Sequence, residues 1–276
     1  MTNILKAIKH YAENQITQVT KKYSSTVSVN KVGDSLEFFV KDMFSLSLNE
    51  KDKKVKEENY RKELSWLGHA TTPPDFIIKN GDAVEVKKIE GLKSTIALNS
   101  SFPKDKLYSD DSRITQGCKD CEVWSEKDMI YAIGTVNENI LKSLWFVYGD
   151  CYCATKNTYL RVADAISDGI RNVEDIELVE TTNELGGVRR VDPLGITYLR
   201  VRGMWNIEHP SKVFDYIDNL DRSLINVIMS ESKYNSFPDI DKANLSKIGN
   251  VKIDKIAIKN PNNPAKLLPA VHICIN

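Results

Sequence analysis

Apolar residues near the start of the chain recur every three to four positions. In "TNILKAIKHYAENQITQV" they are Ile4, Leu5, Ile8, Tyr11 and Ala12, and in "KVGDSLEFFVKDMFSL" they are Val32, Leu36, Phe39, Val40, Met43 and Phe44. That period puts each set on one stripe of an amphipathic helix, so two helices open the chain. The following "NEKDKKVKEENYRKE" is too dense in charge to bury and reads as a solvated loop and exposed helix.

The pattern then becomes strand-like. Phe76 to Ile78, Ala83 to Ile89, Thr95 to Leu98, "DMIYAIGTV" and "LWFVYGDCYC" are rich in β-branched and aromatic residues and bounded by Gly, Asn and Asp. They predict the strands of a central sheet. "TYLRVADAISDGIRN" and "PSKVFDYIDNLDRSLINVIMSES" return to helical spacing, and the Pro- and Asn-punctuated tail ends in a short strand at Ala270 to Ile275. The implied fold class is α/β (α+β), a central mixed β-sheet flanked by helices. The chain shows no internal repeat and no low-complexity linker. It is expected to form one domain over 1–276, with N-terminal helices to about 67, a sheet core over about 72–155 and a helical part over about 156–276.

The stretch "PPDFIIKNGDAVEVKK" is the one whose chemistry depends on strand register. A two-residue Asn80-Gly81 loop pairs Phe76 with Glu85 and mixes apolar and acidic side chains on both faces. A three-residue loop, Lys79, Asn80 and Gly81, with the glycine left-handed, pairs Phe76 with Val84 and Asp75 with Glu85. Phe76, Ile78, Val84 and Val86 then share one face, and Asp75, Glu85 and Lys87 share the other. Burial of the first face and assembly of the second select the same register. Two carboxylates that close repel unless a cation sits between them, and a hard divalent ion such as Mg²⁺ suits oxygen ligands and phosphate. Lys87 can stabilise charge on that phosphate. An ordinary solvated hairpin is the alternative.

Composition narrows the classes. With 276 residues, of which 41% are hydrophobic, the chain can bury a sizeable core. There is no apolar run of membrane-spanning length, and the charged N-terminus lacks signal-peptide character, so a soluble cytoplasmic protein is expected. Lys and Arg (38) balance Asp and Glu (38), which argues against indiscriminate nucleic-acid binding but not against a basic cleft. The five cysteines without an export signal are expected to be reduced thiols. Cys118-x-x-Cys121 and Cys151-x-Cys153 supply four sulfurs, the donor set of a structural zinc site. The tight second spacing and the apolar context of "WFVYGDCYCA" argue instead for packed thiols. The four histidines are dispersed, and no G-x-x-x-x-G-K-[ST] loop is present, so neither histidine-centred catalysis nor ATP-driven translocation is indicated.

Candidate DNA contacts fall in two segments. "FPKDKLYSDDSRITQG" offers Lys104, Lys106, Tyr108, Arg113 and Gln116 for phosphate and groove contacts. "GGVRRVDPLGITYLRVRGMW" offers Arg189, Arg190, Arg200 and Arg202, residues of the type that reads guanine bidentately.

Pro74, Asp75, Glu85 and Lys87, in a hairpin preceded by a helix, resemble the PD-(D/E)xK nuclease motif. The longer stretches "SWLGHATTPPDFIIKNGDAVEVKK", "ALNSSFPKDKLYSDDSRIT" and "CKDCEVWSEKDMIYAIG", with the opening "VGDSLEFFVKDMF", resemble the NgoPII-like family of type II restriction endonucleases. The resemblance spans Ile4 to about Met204. It implies a restriction-endonuclease-like core and a homodimeric, Mg²⁺-dependent enzyme that cuts both strands of a short palindromic DNA site, with GGCC suggested, leaving 5'-phosphate and 3'-hydroxyl ends. It also implies pairing with a cognate DNA methyltransferase. Carried onto this chain, Asp75 and Glu85 are metal ligands, Lys87 is the catalytic lysine, and Glu37 is the candidate for an acidic residue from the preceding helix. Two other readings are a structure-specific repair or recombination nuclease of the same superfamily and a non-catalytic DNA-binding protein.

Overall fold

The computed structural model describes residues 1–19, 32–69, 72–91, 93–179, 184–218 and 220–275. The chain begins with helices α1 (Ile4–Asn14), α2 (Val32–Phe44) and α3 (Lys53–Glu63), followed by strands β1 (Leu64–His69), β2 (Thr72–Ile78), β3 (Ala83–Ile89), β4 (Ile96–Asn99) and β5 (Lys106–Tyr108). A one-turn helix α4 (Gln116–Lys119) precedes the long strands β6 (Glu126–Asn137) and β7 (Ile140–Tyr148). Next come α5 (Gly149–Tyr152), α6 (Lys156–Arg171), and strands β8 (Glu177–Leu178), β9 (Gly186–Arg189), β10 (Tyr198–Val201) and β11 (Trp205–Ile207). The chain closes with α7 (Pro210–Val213), β12 (Ile225–Ser230), α8 (Glu231–Ser236), α9 (Asp239–Ser246), β13 (Val251–Asn260) and β14 (Asn263–Ile275).

A nine-stranded mixed sheet organises the molecule, in the order β1-β2-β3-β6-β7-β12-β14-β13, with β5 added against β6. The β3/β6 and β7/β12 pairs are parallel and the others antiparallel. Helix α1 forms where its stripe demands it: Ile4, Leu5, Ile8, Tyr11 and Ala12 are all buried. Its first turn is capped by Asn3, whose side chain accepts the Lys6 N–H at 3.0 Å, and it ends where Gln15 turns left-handed at φ 44°.

Helix α2 lies against β2 and β3 and carries Glu37 to their level. Its close approach depends on Gly134 in β6, where an added Cβ would lie 2.6 Å from Leu36 Cδ2. Because Leu36 is fully buried, that side chain has nowhere to retreat.

Several expectations are corrected. "LINVIMS", expected within a helix, is strand β12 at the middle of the sheet, and Ile225, Asn226, Val227, Ile228 and Met229 are all buried. A run buried on both faces loses the alternation that distinguishes strand from helix. The terminal strand is longer than expected, because β14 pairs with β12 along its inner half and with β13 along nearly its whole length. "LWFVYGDCYC" leaves the sheet at Tyr148, and Cys151 lies on the helical turn α5. The segment near Thr95 to Leu98 is strand β4, but it pairs with β11 rather than joining the central sheet. Strand β1, formed by "LSWLGH", was not expected.

Candidate active site

The hairpin register matches the three-residue loop. Phe76 lies opposite Val84 and Ile77 opposite Ala83, and the Ile78 N–H donates to the Asp82 carbonyl at 2.9 Å. One detail differs: the left-handed residue is Asn80, with φ 52°, and not Gly81. The Gly81 N–H closes back on the Ile78 carbonyl at 2.8 Å. A turn with Lys79 and Asn80 at its centre and a positive φ at the second has the sign pattern of type II, where asparagine substitutes for glycine.

Beyond Phe76 and Val84 the two strands stop pairing, and the chemistry begins at that opening. Asp75 occupies the gap, its Oδ2 accepting the Val86 N–H at 2.6 Å. On β3, Lys87 Nζ sits 2.6 Å from Glu85 Oε1. Glu85 is 9% exposed, and its Oε2 is buried without a hydrogen-bond partner. Burial, then the charges of Glu85 and Glu37, push Asp75 up to about 8, while Lys87 and the Val86 N–H only partly oppose them. Burial also works against the Lys87 ammonium, but Glu85, Asp75 and Glu37 outweigh it and raise its pKa. Acting on both Asp75 and Lys87, Glu37 belongs to the same electrostatic cluster.

These features fit a divalent cation. An unpartnered buried carboxylate oxygen next to a second, destabilised carboxylate is a shortage of positive charge that Lys87 alone does not meet. Asp75 and Glu85 are the two residues that would hold the ion. No cluster of three or more His, Cys, Asp or Glu side chains able to hold a metal occurs among the described residues, so the remaining ligands would have to be water and phosphate.

Glu37 itself pairs with Lys41, four residues on and almost buried. Lys41 was not anticipated from the sequence, although the Glu-x-x-x-Lys spacing on a helix signals it.

The expected DNA contacts disperse. Lys104 is 3% exposed, paired with Asp111 and held 4.3 Å above the Phe102 ring. It sits in a buried ion pair, and with Glu85, Ser101 and Tyr131 it lines a cavity of about 10 Å³, near the size of a single water. Arg113 lies over Phe102 at 5.4 Å and donates to the Ser100 carbonyl. Lys106 is partly exposed and pairs with Glu126 at 2.5 Å. Gln116 is exposed and donates to Asp120 at 2.9 Å. Arg189, Arg190, Arg200 and Arg202 lie far along the chain, on or next to the small sheet β10-β9-β8. Three of them have acidic partners: Arg190 meets Glu177 at 3.5 Å, while Arg200 and Arg202 converge on Glu184.

The five cysteines are free. Cys118 and Cys121 lie at and just beyond α4, and Cys151 and Cys153 lie at and just beyond α5. Burial, then Cys121, push Cys118 up to about 12, and burial first of all holds Cys151 and Cys153 well above the usual thiol range. Such thiols behave as small apolar groups. No helix of the described residues is long and apolar enough to cross a membrane.

The model of the NgoPII restriction endonuclease family matches residues 2–260. The type II restriction enzyme NgoPII of Neisseria gonorrhoeae is 47% identical over 271 residues, covering 96% of each chain. No solved structure matches the chain. With a family match across nearly its whole length and close to half its residues shared with a curated member, the chain belongs to the NgoPII family of type II restriction endonucleases.

Proposed function

We propose that the chain is a Mg²⁺-dependent deoxyribonuclease that hydrolyses one phosphodiester bond in each strand of a short palindromic duplex site, GGCC being the expected sequence, and leaves 5'-phosphate and 3'-hydroxyl ends. The observation that carries this reading is the opening of the β2–β3 hairpin, where Asp75 and Glu85 share a face, Lys87 Nζ lies 2.6 Å from Glu85, and Glu85 Oε2 has no partner. When bound, Mg²⁺ supplies Lewis-acid stabilisation of charge on the phosphoryl oxygens.

The chain's own residues supply the rest. Asp75 is fixed by the Val86 N–H, which its Oδ2 accepts at 2.6 Å, and its carboxylate would be one ligand of the ion. Lys87 is a point charge beside the scissile phosphate that orients the attacking water and stabilises charge as it develops. Glu37, held by Lys41, adds negative charge at the rim that favours cation binding. Lys106 and Gln116 keep solvent access and are the DNA contacts proposed from the first segment. A cognate methyltransferase would protect the host's own sites.

The test is digestion of a plasmid of known sequence with end mapping. Discrete Mg²⁺-dependent bands are expected from the wild type. Asp75→Ala and Lys87→Ala are each expected to lose at least 10³-fold in cleavage rate while retaining duplex binding. Undiminished cleavage in either variant would refute the assignment, and cleavage confined to branched or flapped substrates would favour a repair nuclease.

A further inference from the structure

Half of the exposed large hydrophobic residues among the described ones fall between Val162 and Met204. That concentration has a specific shape. Strands β9 and β10 form a hairpin in which Arg189 lies opposite Tyr198 and Val188 opposite Leu199, with β8 alongside β9. Helix α6 covers only its base: Ile170 lies under Gly186, where a Cβ would meet it at 2.8 Å, and Val188 is buried. Residues 191–199 beyond that cover are all exposed or half-exposed, and Leu194, Ile196 and Tyr198 are 80%, 76% and 71% exposed.

The tip is ordered rather than loose. Asp192 accepts the Leu194 N–H at 3.0 Å and the Thr197 N–H at 2.8 Å, and Gly195 takes a left-handed φ of 68°. An apolar tip held in one conformation loses little further entropy on docking.

The composition of this arm identifies what it docks against. No lysine occurs between Lys156 and Lys212, whereas six arginines do. Among the described residues between Glu177 and Met204, Arg189, Arg190, Arg200 and Arg202 are set against Glu177, Glu184 and Asp192, so the positive charge is almost wholly offset. A duplex-binding surface carries excess positive charge, whereas arginine, tyrosine and methionine enrichment with lysine depletion marks a protein interface. A patch bearing both signs of charge and an apolar tip can complement itself about a two-fold axis.

We propose that the β9–β10 arm is the self-association surface of this chain, its occupant a second copy. The proposal rests on the nuclease reading for its symmetry, since the two scissile bonds of a palindromic site are themselves related by a two-fold axis and each chain contributes one Asp75–Glu85–Lys87 centre. In this reading Arg190, Arg200 and Arg202 rim the interface with their glutamates and do not read guanine.

Sedimentation velocity of the full-length protein without DNA, in EDTA, tests it. The wild type is expected to sediment as a dimer at micromolar concentration. Leu194→Asp combined with Ile196→Asp is expected to raise the dimer dissociation constant at least 100-fold, and the milder Leu194→Ser about tenfold, with far-ultraviolet circular dichroism unchanged in both. A monomeric wild type, or folded variants that dimerise as well as the wild type, would overturn the proposal. Variants that remain dimeric but lose duplex binding would assign the arm to DNA and overturn it as well. Asp75→Asn is expected to dimerise normally, so failure of the nuclease reading would appear as absent cleavage by the wild type, independently of sedimentation.

Discussion

At the scale of single residues, the strongest tension in the molecule is Asp75. Its carboxyl is raised to about 8 first by burial and then by Glu85 and Glu37. A carboxyl raised in the folded state, against about 3.9 in the unfolded chain, favours folding only where it is protonated. Without metal, stability should therefore fall as pH rises from about 4 to 8 on account of this group. Asp75→Asn keeps an acceptor for the Val86 N–H and removes the charge. Thermal unfolding in EDTA at pH 8 should show the variant more stable by on the order of 2 kcal/mol, with a flatter pH profile. An unchanged midpoint would mean that the site is already relaxed without a cation.

At the same scale, local pattern assembles the Asp, Glu and Lys set but does not place the charged residues around it. The Asp, Glu and Lys set is encoded in the alternation of one hairpin, so local pattern is enough to assemble it. Whether Lys104 faces solvent or Asp111, and whether Arg200 faces DNA or Glu184, depends on chain segments that sequence does not place together.

At the scale of elements, the packing of helix α2 over the sheet uses Gly134 of β6, which leaves room for Leu36. Gly134→Ala should push α2 away from the sheet, costing about 1–3 kcal/mol, and should move Glu37 with it. Chemical denaturation measures the cost, and Leu36→Ala in the same chain should recover part of it. If the double variant is no better than the sum of the single variants, the two positions are not coupled. Helices α1 and α2 and strand β3 were legible because each has one dominant period. Strand β12 was not, because burial on both faces erased the period.

At the scale of the whole molecule, Lys233 of α8 joins parts remote in sequence. Its Nζ lies 2.6 Å from Asp82, beside the hairpin turn, and 2.6 Å from Asp128 of β6. Asp82 also accepts the Tyr148 hydroxyl at 2.7 Å. Removing the lysine strands a buried carboxylate, so Lys233→Met should cost about 3 kcal/mol, and Asp82→Asn in the same chain should return much of that loss. A double-mutant cycle in urea gives the coupling directly, and a coupling near zero would reduce the link to an incidental surface contact. This clip ties the closed end of the hairpin to β6 and α8.

The sequence by itself determined the two opening helices, the three-residue hairpin loop and the shared face of Asp75, Glu85 and Lys87, because each follows from spacing within a few residues. Only the tertiary structure decided that Glu37 joins that cluster, that Lys104 and three arginines are bound to acids, and that the β9–β10 arm is left uncovered. Those outcomes depend on which distant surfaces meet, and burial and charge pairing between distant segments carry no local period.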